Sequence, residues 1–364
     1  MNKQLSFFES GVHEKTLGKI KPLLSIITSG HDRKAVEDFW EKASRYFGVL
    51  FGIDSAIEDG QLDEESASKM VIEETDAILQ EGKKLEESIE NSDLIRKIKK
   101  LFRESGIPVG MKSDIVKHAF LKPRGYAGDY GLIEMVYNNK IISKGFGHCA
   151  DKRFLVDDYA NAVRGRKDMM KDILLQFLSN TPLKSVEILN IACGSCREIR
   201  EMFAENSFAG PSKVIFTFVD QDQEALDFSR EALNNSPSGV EYRFLQHSVY
   251  NFMKEPERYR EMLSGKDLVY TIGLADYIPD QTLQTLVVFL FSLVKAGGKL
   301  VIAHKDSKNF SPLAPDWWCD WTFHLRNESE MVNLVKTSGL ADFKLSIRRE
   351  TKTNIIFFLI IEKK

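Results

Sequence analysis

The 364-residue sequence has few cysteines, little net charge and no long hydrophobic run. Its four cysteines, Cys149, Cys193, Cys196 and Cys319, are too scattered for a disulfide framework, which favours reduced thiols in the cytosol. A formal net charge of -3 offers no basic surface for a nucleic-acid partner. The most hydrophobic stretch, residues 286–294, is far shorter than the roughly 20 residues that span a bilayer. Because the first residues also lack the apolar core of a secretory signal, we expect a soluble, cytoplasmic protein.

The length suits two domains better than one hydrophobic core. Residues 36–51 and 67–102 carry apolar residues at helical spacing, and the charged stretch 73–100 is typical of the solvated face of one helix that packs on its own domain. A glycine-rich segment begins at Lys122, and a further helix is predicted over residues 158–178. We therefore predict an α-helical N-terminal domain over residues 1–180 and a second domain over residues 181–364.

The second domain alternates between predicted strands and helices, which indicates a mostly parallel, doubly wound α/β sheet. The predicted strands are Val186–Ile191, Lys213–Val219, Glu241–Gln246, Leu268–Ile272, Lys299–Ala303, Phe343–Arg349 and Ile355–Ile361. Only a few residues join the last two strands, so this pair must form an antiparallel hairpin. A doubly wound sheet that ends in such a hairpin resembles the Rossmann-like fold of class I methyltransferases.

A turn of small residues follows the first predicted strand and precedes a helix that begins near Arg197. Asn190, Ala192, Cys193 and Gly194 are the residues that we assign to cofactor binding there, because small residues let a nucleotide-type ligand approach the backbone. The segment resembles the D/E-x-G-x-G-x-G motif of class I methyltransferases. It departs from that motif because Asn190 replaces the acid, Ala192 replaces the first glycine and Cys196 replaces the last one. The C-x-x-C pair lacks a second ligand pair, so no metal is expected.

Two further strand ends supply polar residues for the same ligand. Asp220 ends the second strand, where a carboxylate can accept hydrogen bonds from both ribose hydroxyls, and Gln221 beside it is assigned to the same site. Asp222 fits the N-cap of the following helix. After the third strand, Ser248 and Val249 occupy the place where methyltransferases read the adenine edge.

The resemblance to class I methyltransferases implies that the carboxyl end of the fourth strand faces the transferred methyl group. Gly273 lets the chain turn close to the cofactor, while Asp276 and Tyr277 point toward the cleft and are the predicted catalytic residues of this loop. A glycine turn at residues 295–298 then leads into the fifth strand.

Several of these segments together resemble one group of bacterial proteins, the extracellular factor (3-hydroxypalmitic acid methyl ester) biosynthesis proteins. The similar segments are RGYAGDY (124–130), ILNIACGSCREI (188–199), VDQDQEAL (219–226), DLVYTIGLADYIPD (267–280) and DWTFHLR (320–326). The resemblance implies S-adenosyl-L-methionine as the cofactor and methyl transfer to an oxygen of a fatty-acid-like carboxylate or another small acceptor.

A carboxylate acceptor is already ionised at pH 7, so the protein must supply mainly alignment and a cation. Arg124 and Arg326 are the candidates for that cation, because each can make a bidentate contact with a carboxylate. Arg124 could instead pair with Asp129. Tyr126 could line the acceptor pocket, and the glycines around it would suit a lid.

Two other functions also fit the sequence. A base-like Asp276 would suit a small-molecule N-methyltransferase, whereas a paired arginine suits a carboxylate acceptor. The altered glycine motif would instead suit a cofactor-binding sensor or scaffold protein without catalytic activity.

Overall fold

The computed structural model describes residues 7–205, 210–235 and 237–364. The chain divides into two compact units. The helical unit runs up to Asp157 and also takes in Pro312–Thr322, whereas the sheet unit comprises Asp158–Ser311 and Phe323–Lys364. Each unit is described by itself.

The helical unit contains eight helices from the first part of the described chain and one from a later part. They are α1 (Ser10–Lys19), α2 (Lys21–Leu24), α3 (Gly30–Glu58), α4 (Glu64–Ser88), α5 (Ser92–Gly110), α6 (Asp114–Leu121), α7 (Tyr130–Asn138), α8 (Phe146–Val156) and α15 (Leu313–Cys319). The single charged helix predicted over residues 73–100 is wrong. Ile89 is extended, and the Asn91 side chain accepts hydrogen bonds from the N–H groups of Asp93 and Leu94, so that α5 begins separately.

Helix α15 belongs to the core of the helical unit although it follows the fifth strand in the chain. The Trp317 ring is buried with its centroid 5.2 Å from that of Phe102. A Cβ atom on Gly82 would lie 2.9 Å from the Trp317 ring, and one on Gly106 would lie 2.5 Å from the Trp318 ring. Both glycines are therefore required for the close approach of these indoles.

Seven strands form one sheet in the sheet unit. They are β1 (Ser185–Ile191), β2 (Lys213–Asp220), β3 (Val240–Gln246), β4 (Lys266–Thr271), β5 (Val294–Lys305), β6 (Phe343–Arg349) and β7 (Ile356–Lys363). The sheet order is β3-β2-β1-β4-β5-β7-β6, and β7 runs antiparallel to both of its neighbours. The expected Rossmann-like fold with a C-terminal antiparallel hairpin is thus confirmed. The strand order reverses between β1 and β4, which is where ligands bind in such sheets.

The helices of the sheet unit include the long segment that precedes the first strand. They are α9 (Asp158–Asn180), α10 (Arg197–Glu205), α11 (Gln223–Ala232), α12 (Val249–Lys254), α13 (Pro256–Leu263), α14 (Asp280–Ser292) and α16 (Glu328–Lys336). We predicted the domain boundary at residue 180, after α9, whereas the helical unit ends at Asp157. The reason is that α9 packs within the sheet unit, where Lys167 pairs with Glu201 of α10.

One local difference concerns the predicted glycine turn. Residues 295–298, predicted as a turn, lie inside β5, where Gly297 has a φ of 78° and the pairing with β4 shifts register.

Among the described residues, no helix combines the length and the hydrophobicity that a membrane crossing requires.

Candidate functional site

The turn between β1 and α10 keeps a left-handed backbone at three alternate positions. Ala192, Gly194 and Cys196 have φ values of 54°, 53° and 50°. Only one of these residues is a glycine, yet all three adopt the conformation that favours glycine. The departures from the usual glycine motif therefore leave the path of the backbone intact. We refer to residues 192–196 as the glycine turn.

Asp220 lies beside the glycine turn at the end of β2. Its side chain accepts hydrogen bonds from the Gly194 N–H, at 2.9 Å, and from the Asp222 N–H, at 3.0 Å. Burial raises the pKa of Asp220, while these backbone N–H groups oppose the increase. Each carboxylate oxygen accepts one of the two bonds and keeps a second acceptor position. Asp220 can thus hold the turn and still accept donors from a ligand.

Asn190 does not stand alone where the usual motif has an acid. Its amide nitrogen donates to the buried Glu198 carboxylate at 3.1 Å, and the Tyr270 hydroxyl donates to the same oxygen at 2.7 Å. The Asn190 amide oxygen is also buried, and the part of the chain that the structure describes offers it no hydrogen-bond donor. An unmatched buried acceptor costs free energy, so this oxygen is a position for a donor from a ligand.

The residues assigned to the adenine edge have structural partners. Ser248 caps α12, where its hydroxyl accepts from the Tyr250 N–H at 3.4 Å, and Val249 packs in the hydrophobic core. Gln221 is exposed after β2, and its carbonyl oxygen accepts from the Gln246 side chain at 3.3 Å. Their roles in cofactor binding remain predictions.

At the end of β4, Gly273 lies next to a cation from α9. A Cβ atom on Gly273 would lie 3.6 Å from the guanidinium nitrogens of Arg166, which is itself buried. The charge of Arg166 also acts on Glu198 below the glycine turn and on Lys305 at the end of β5. The buried Arg166 therefore interacts both with Glu198 near the glycine turn and with Lys305 at the end of β5.

Asp276 is buried in a network of side chains from β5. Its carboxylate accepts from the Lys305 backbone N–H at 2.9 Å and from the Lys305 ammonium, and His304 Nδ1 lies 3.0 Å away. Burial alone would raise the pKa of Asp276, but the charge of Lys305 and the neighbouring His304 imidazole hold it well below its ordinary value. Such a carboxylate is a poor proton acceptor.

Lys305 is fully buried among aromatic rings at the same strand end. Its Nζ atom lies 4.4 Å from the centroid of Phe323, 5.2 Å from that of Tyr159 and 5.7 Å from that of Tyr277. Burial lowers the pKa of Lys305 to about 8, although Asp276 opposes the decrease. We refer to these residues as the lysine cluster, whose members are Tyr159, Asp276, Tyr277, His304, Lys305, Phe310 and Phe323.

Arg326 fixes the loop between β4 and α14. Its guanidinium donates to Asp280 at 2.7 Å and to the carbonyl oxygens of Ile278, Ala275 and His324. These contacts use its N–H groups within the protein, so the loop that carries Asp276 has a defined path.

Arg124 and Tyr126 belong to the helical unit. Arg124 lies over the Tyr130 ring at 4.4 Å, and its NH1 atom is 3.9 Å from Asp129. The neighbouring Gly125 and Gly128 have φ values of 80° and 72°, so this segment is a tight turn that leads into α7. Tyr126 is half-buried within that turn. Substrate contact by either residue remains a prediction.

Cys193 and Cys196 are buried free thiols. Burial and the neighbouring Cys196 raise the pKa of Cys193 well above its ordinary value, which disfavours the thiolate that metal binding requires. Within residues 7–205, 210–235 and 237–364, no cluster of metal-ligating side chains occurs.

Sequence reasoning missed three buried charged residues of this site, namely Arg166, Glu198 and Lys305. Lys305 ends β5, so a charged side chain at a strand end was the available signal there, whereas Glu198 lies in α10, inside the segment 188–199. Arg166 lies in α9, about 25 residues before the glycine turn, and only the fold brings it to the end of β4.

No protein-family model matches this sequence, and no curated protein does so. Solved structures do resemble it. One, described as a possible exported protein from Bordetella parapertussis, is 14% identical with a TM-score of 0.53, and the match covers 84% of this chain and 98% of that one. This likeness shows the fold.

Class I methyltransferases are also among the similar structures. Magnesium protoporphyrin IX methyltransferase from Synechocystis PCC 6803, with bound S-adenosylmethionine, is 12% identical with a TM-score of 0.41, and the match covers 57% of this chain and 85% of that one. The N-methyltransferase NodS from Bradyrhizobium japonicum WM9, in complex with S-adenosyl-L-homocysteine, is 10% identical with a TM-score of 0.38. That match covers 54% of this chain and 87% of NodS.

Proposed function

We propose that this chain is an S-adenosylmethionine-dependent methyltransferase that methylates an oxygen of a small carboxylate, such as a fatty-acid-like molecule. The observation that carries the proposal is the buried Asp220 carboxylate, which lies beside the left-handed glycine turn at the reversal of strand order. This combination provides close backbone approach and a hydroxyl acceptor in one place.

The residues at the glycine turn fit this cofactor. Asp220 has acceptor positions left for two vicinal hydroxyls, and the unmatched Asn190 oxygen suits an ammonium donor. Glu198 adds a buried carboxylate next to Asn190, which favours a positively charged ligand. When bound, S-adenosylmethionine supplies an electrophilic methyl group to the acceptor oxygen and leaves as S-adenosylhomocysteine.

The acceptor side favours a carboxylate over an amine. An amine must lose a proton before it can attack, and the best-placed base predicted from the sequence was Asp276. Asp276 is instead held by Lys305 and His304, with a pKa well below its ordinary value. A carboxylate needs no base at neutral pH, because it is already ionised. The protein then contributes alignment and exclusion of water.

The test is a calorimetric titration of the full chain with S-adenosylmethionine. Asp220→Ala should weaken binding by about 10–100-fold, because it removes a buried acceptor for two hydroxyls. Asp222→Ala is the matched control. That side chain caps α11 by accepting from the Glu224 N–H at 2.9 Å, so its loss should lower stability but leave affinity within about twofold. Equal affinities for all three proteins would remove Asp220 from the site.

We further infer that the helical unit influences acceptor choice. Support comes from the path of the chain, since α15 lies in the core of the helical unit while Phe310 and Phe323, on either side of it, belong to the lysine cluster. Deleting residues 1–120 would leave Trp317 without its packing partners, so a gentler change is needed. Trp317→Phe, which weakens the packing of α15 but keeps an aromatic ring in the helical core, should change acceptor KM and leave cofactor affinity unchanged. An unchanged KM would refute this role.

A further inference from the structure

We infer that Lys305 is the residue that binds the carboxylate of the acceptor, with the aromatic rings of the lysine cluster as the wall for its apolar body. This inference rests on the proposed function and names the side chain that selects the substrate class. The sequence had assigned this task to Arg124 and Arg326.

The first support is the unused hydrogen-bonding capacity of Lys305. An ammonium group has three N–H donors. Among the described residues, Asp276 is the one side chain that accepts a hydrogen bond from Lys305 Nζ, and the other contacts of this atom are with ring faces. Cation–π contacts with rings are weaker than charge-assisted hydrogen bonds. Two buried donors of a charged group thus await an acceptor.

The second support is the position of Lys305 in the sheet. It is the last residue of β5, and Asp276 follows β4, so the pair lies at the carboxyl ends of two adjacent strands. Ligands of doubly wound sheets bind at these strand ends. Tyr277 and Phe323 are only half-buried there, which makes them available to line a pocket.

The third support is that one arginine predicted for this task is engaged elsewhere. Arg326 donates its guanidinium N–H groups to Asp280 and to backbone carbonyl oxygens. Lys305, by contrast, is fully buried and pairs with the carboxylate of Asp276. Lys305 is therefore better placed than Arg326 to donate to an acceptor carboxylate.

Aromatic rings give the site its preference for an apolar body. The ring centroids of Tyr159 and Phe310 are 5.3 Å apart, and those of Tyr277 and Phe323 are 5.6 Å apart. Rings at this spacing form a continuous apolar surface beside the ammonium. The predicted acceptor class is accordingly a monocarboxylate attached to an aliphatic or aromatic body, without a second charge.

The test measures binding of 3-hydroxyhexadecanoate and of its uncharged amide to the full chain in the presence of S-adenosylhomocysteine. The double variant Asp276→Asn with Lys305→Met removes both charges, so that neither is left buried without a partner. Its carboxylate affinity should fall by about 10–100-fold, while amide affinity stays within about threefold. Lys295→Met is the control, because Lys295 pairs with Asp267 near the opposite end of β5. It should bind both ligands like the parent protein.

A second measurement needs no variant. The charged and titratable groups that face Lys305 are Asp276, His304, Arg166, Tyr159 and Tyr277. Arg166 stays charged throughout, and burial raises the pKa of Tyr159 well above its ordinary value. Loss of the Lys305 charge should therefore weaken carboxylate binding above about pH 8 and leave amide binding flat.

The inference is overturned if the folded double variant keeps the parent preference for the carboxylate. It is equally overturned if the parent protein binds the carboxylate no better than the amide, or shows no decline above pH 8. Binding of S-adenosylhomocysteine, measured in the same samples, distinguishes failure of the role proposed for Lys305 from failure of the proposed function. A parent protein that binds the nucleoside but not the carboxylate refutes only the role of Lys305, whereas failure to bind the nucleoside refutes the proposed function.

Discussion

The glycine turn and the lysine cluster lie at strand ends of the same sheet, but the first is formed mainly by backbone groups and the second by side chains. The glycine turn presents backbone, with its conformation fixed by left-handed residues and by the bond from Gly194 to Asp220. The lysine cluster presents buried side chains, with Lys305 and Asp276 paired among aromatic rings. The glycine turn can therefore tolerate changes of side chain, whereas the lysine cluster depends on the particular side chains that form it.

This difference has an energetic consequence. A backbone site survives the replacement of two glycines because the turn keeps its path, at a cost of roughly 1–2 kcal/mol for each non-glycine residue in the left-handed region. A buried ion pair, by contrast, fails when one partner is removed, since the remaining charge stays in a medium that solvates it poorly. Substitutions should therefore affect the two regions unequally.

The largest effect is expected from breaking the ion pair of the lysine cluster. Lys305→Met leaves the Asp276 carboxylate buried without its cation, which should lower the free energy of unfolding by about 3–5 kcal/mol. Adding Asp276→Asn should restore most of that loss. Urea denaturation of the two variants checks the prediction, and a double variant as unstable as the single one would show that packing, not charge, holds the cluster.

A smaller loss is expected at the buried carboxylate below the glycine turn. Asn190→Asp places a second acid next to Glu198, and two adjacent buried carboxylates cannot both ionise. The variant should lose roughly 1–3 kcal/mol of stability, because the bond from the Asn190 amide to Glu198 is also removed. Combining it with Glu198→Gln should recover stability and cofactor binding, since the acid and the amide only exchange places. Thermal unfolding with and without S-adenosylhomocysteine measures both.

The two regions should also respond to opposite changes of pH. Burial raises the pKa of Asp220, so the carboxylate that accepts the hydroxyls is lost on acidification at a higher pH than for an ordinary aspartate. Cofactor affinity should therefore fall on the acid side, and Asp220→Asn should abolish that fall. The charge of Lys305 is lost above about pH 8, so kcat/KM for a carboxylate acceptor should fall on the alkaline side. If cofactor affinity and kcat/KM fell on the same side of the pH range, the assignment of Asp220 to the cofactor and Lys305 to the acceptor would be contradicted.

The smallest effect is expected from restoring a glycine to the turn. Ala192→Gly relieves the left-handed strain at this residue, but it also raises the conformational entropy of the unfolded chain. The strain of roughly 1–2 kcal/mol is partly offset by an entropy cost of about 0.4–1 kcal/mol, so stability should rise by only about 1 kcal/mol and cofactor affinity should change by less than about twofold. Calorimetric titration checks this, and a large gain in affinity would mean that the present turn is distorted.

The same contrast explains what the sequence could predict. The seven strands and the glycine turn were found because hydrophobic alternation and small residues are local signals in the chain. The position of Asp220 at a strand end was predicted for the same reason, since it is the last residue of β2, whereas its role in cofactor binding stays a prediction. The break at Ile89 was missed because the charged pattern continues through it, although Asn91 offered a capping signal.

The lysine cluster could not be predicted in this way. Tyr159 comes from α9, Asp276 from the loop after β4 and Lys305 from β5, and no local pattern links them. Asp276 looked like a base because its position in the chain was correct, but its protonation state depends on a lysine 29 residues away. Burial and pairing are properties of the folded chain, so the chemical role of a titratable residue follows only from its neighbours.

The most direct measurement is a crystal structure of the full chain grown with S-adenosylhomocysteine. The account predicts that the nucleoside lies over the glycine turn, with its ribose hydroxyls donating to Asp220 and its ammonium donating to the Asn190 oxygen. Nucleoside density elsewhere on the molecule, or a crevice at Gly194 and Asp220 that stays closed by the protein's own side chains, would contradict it.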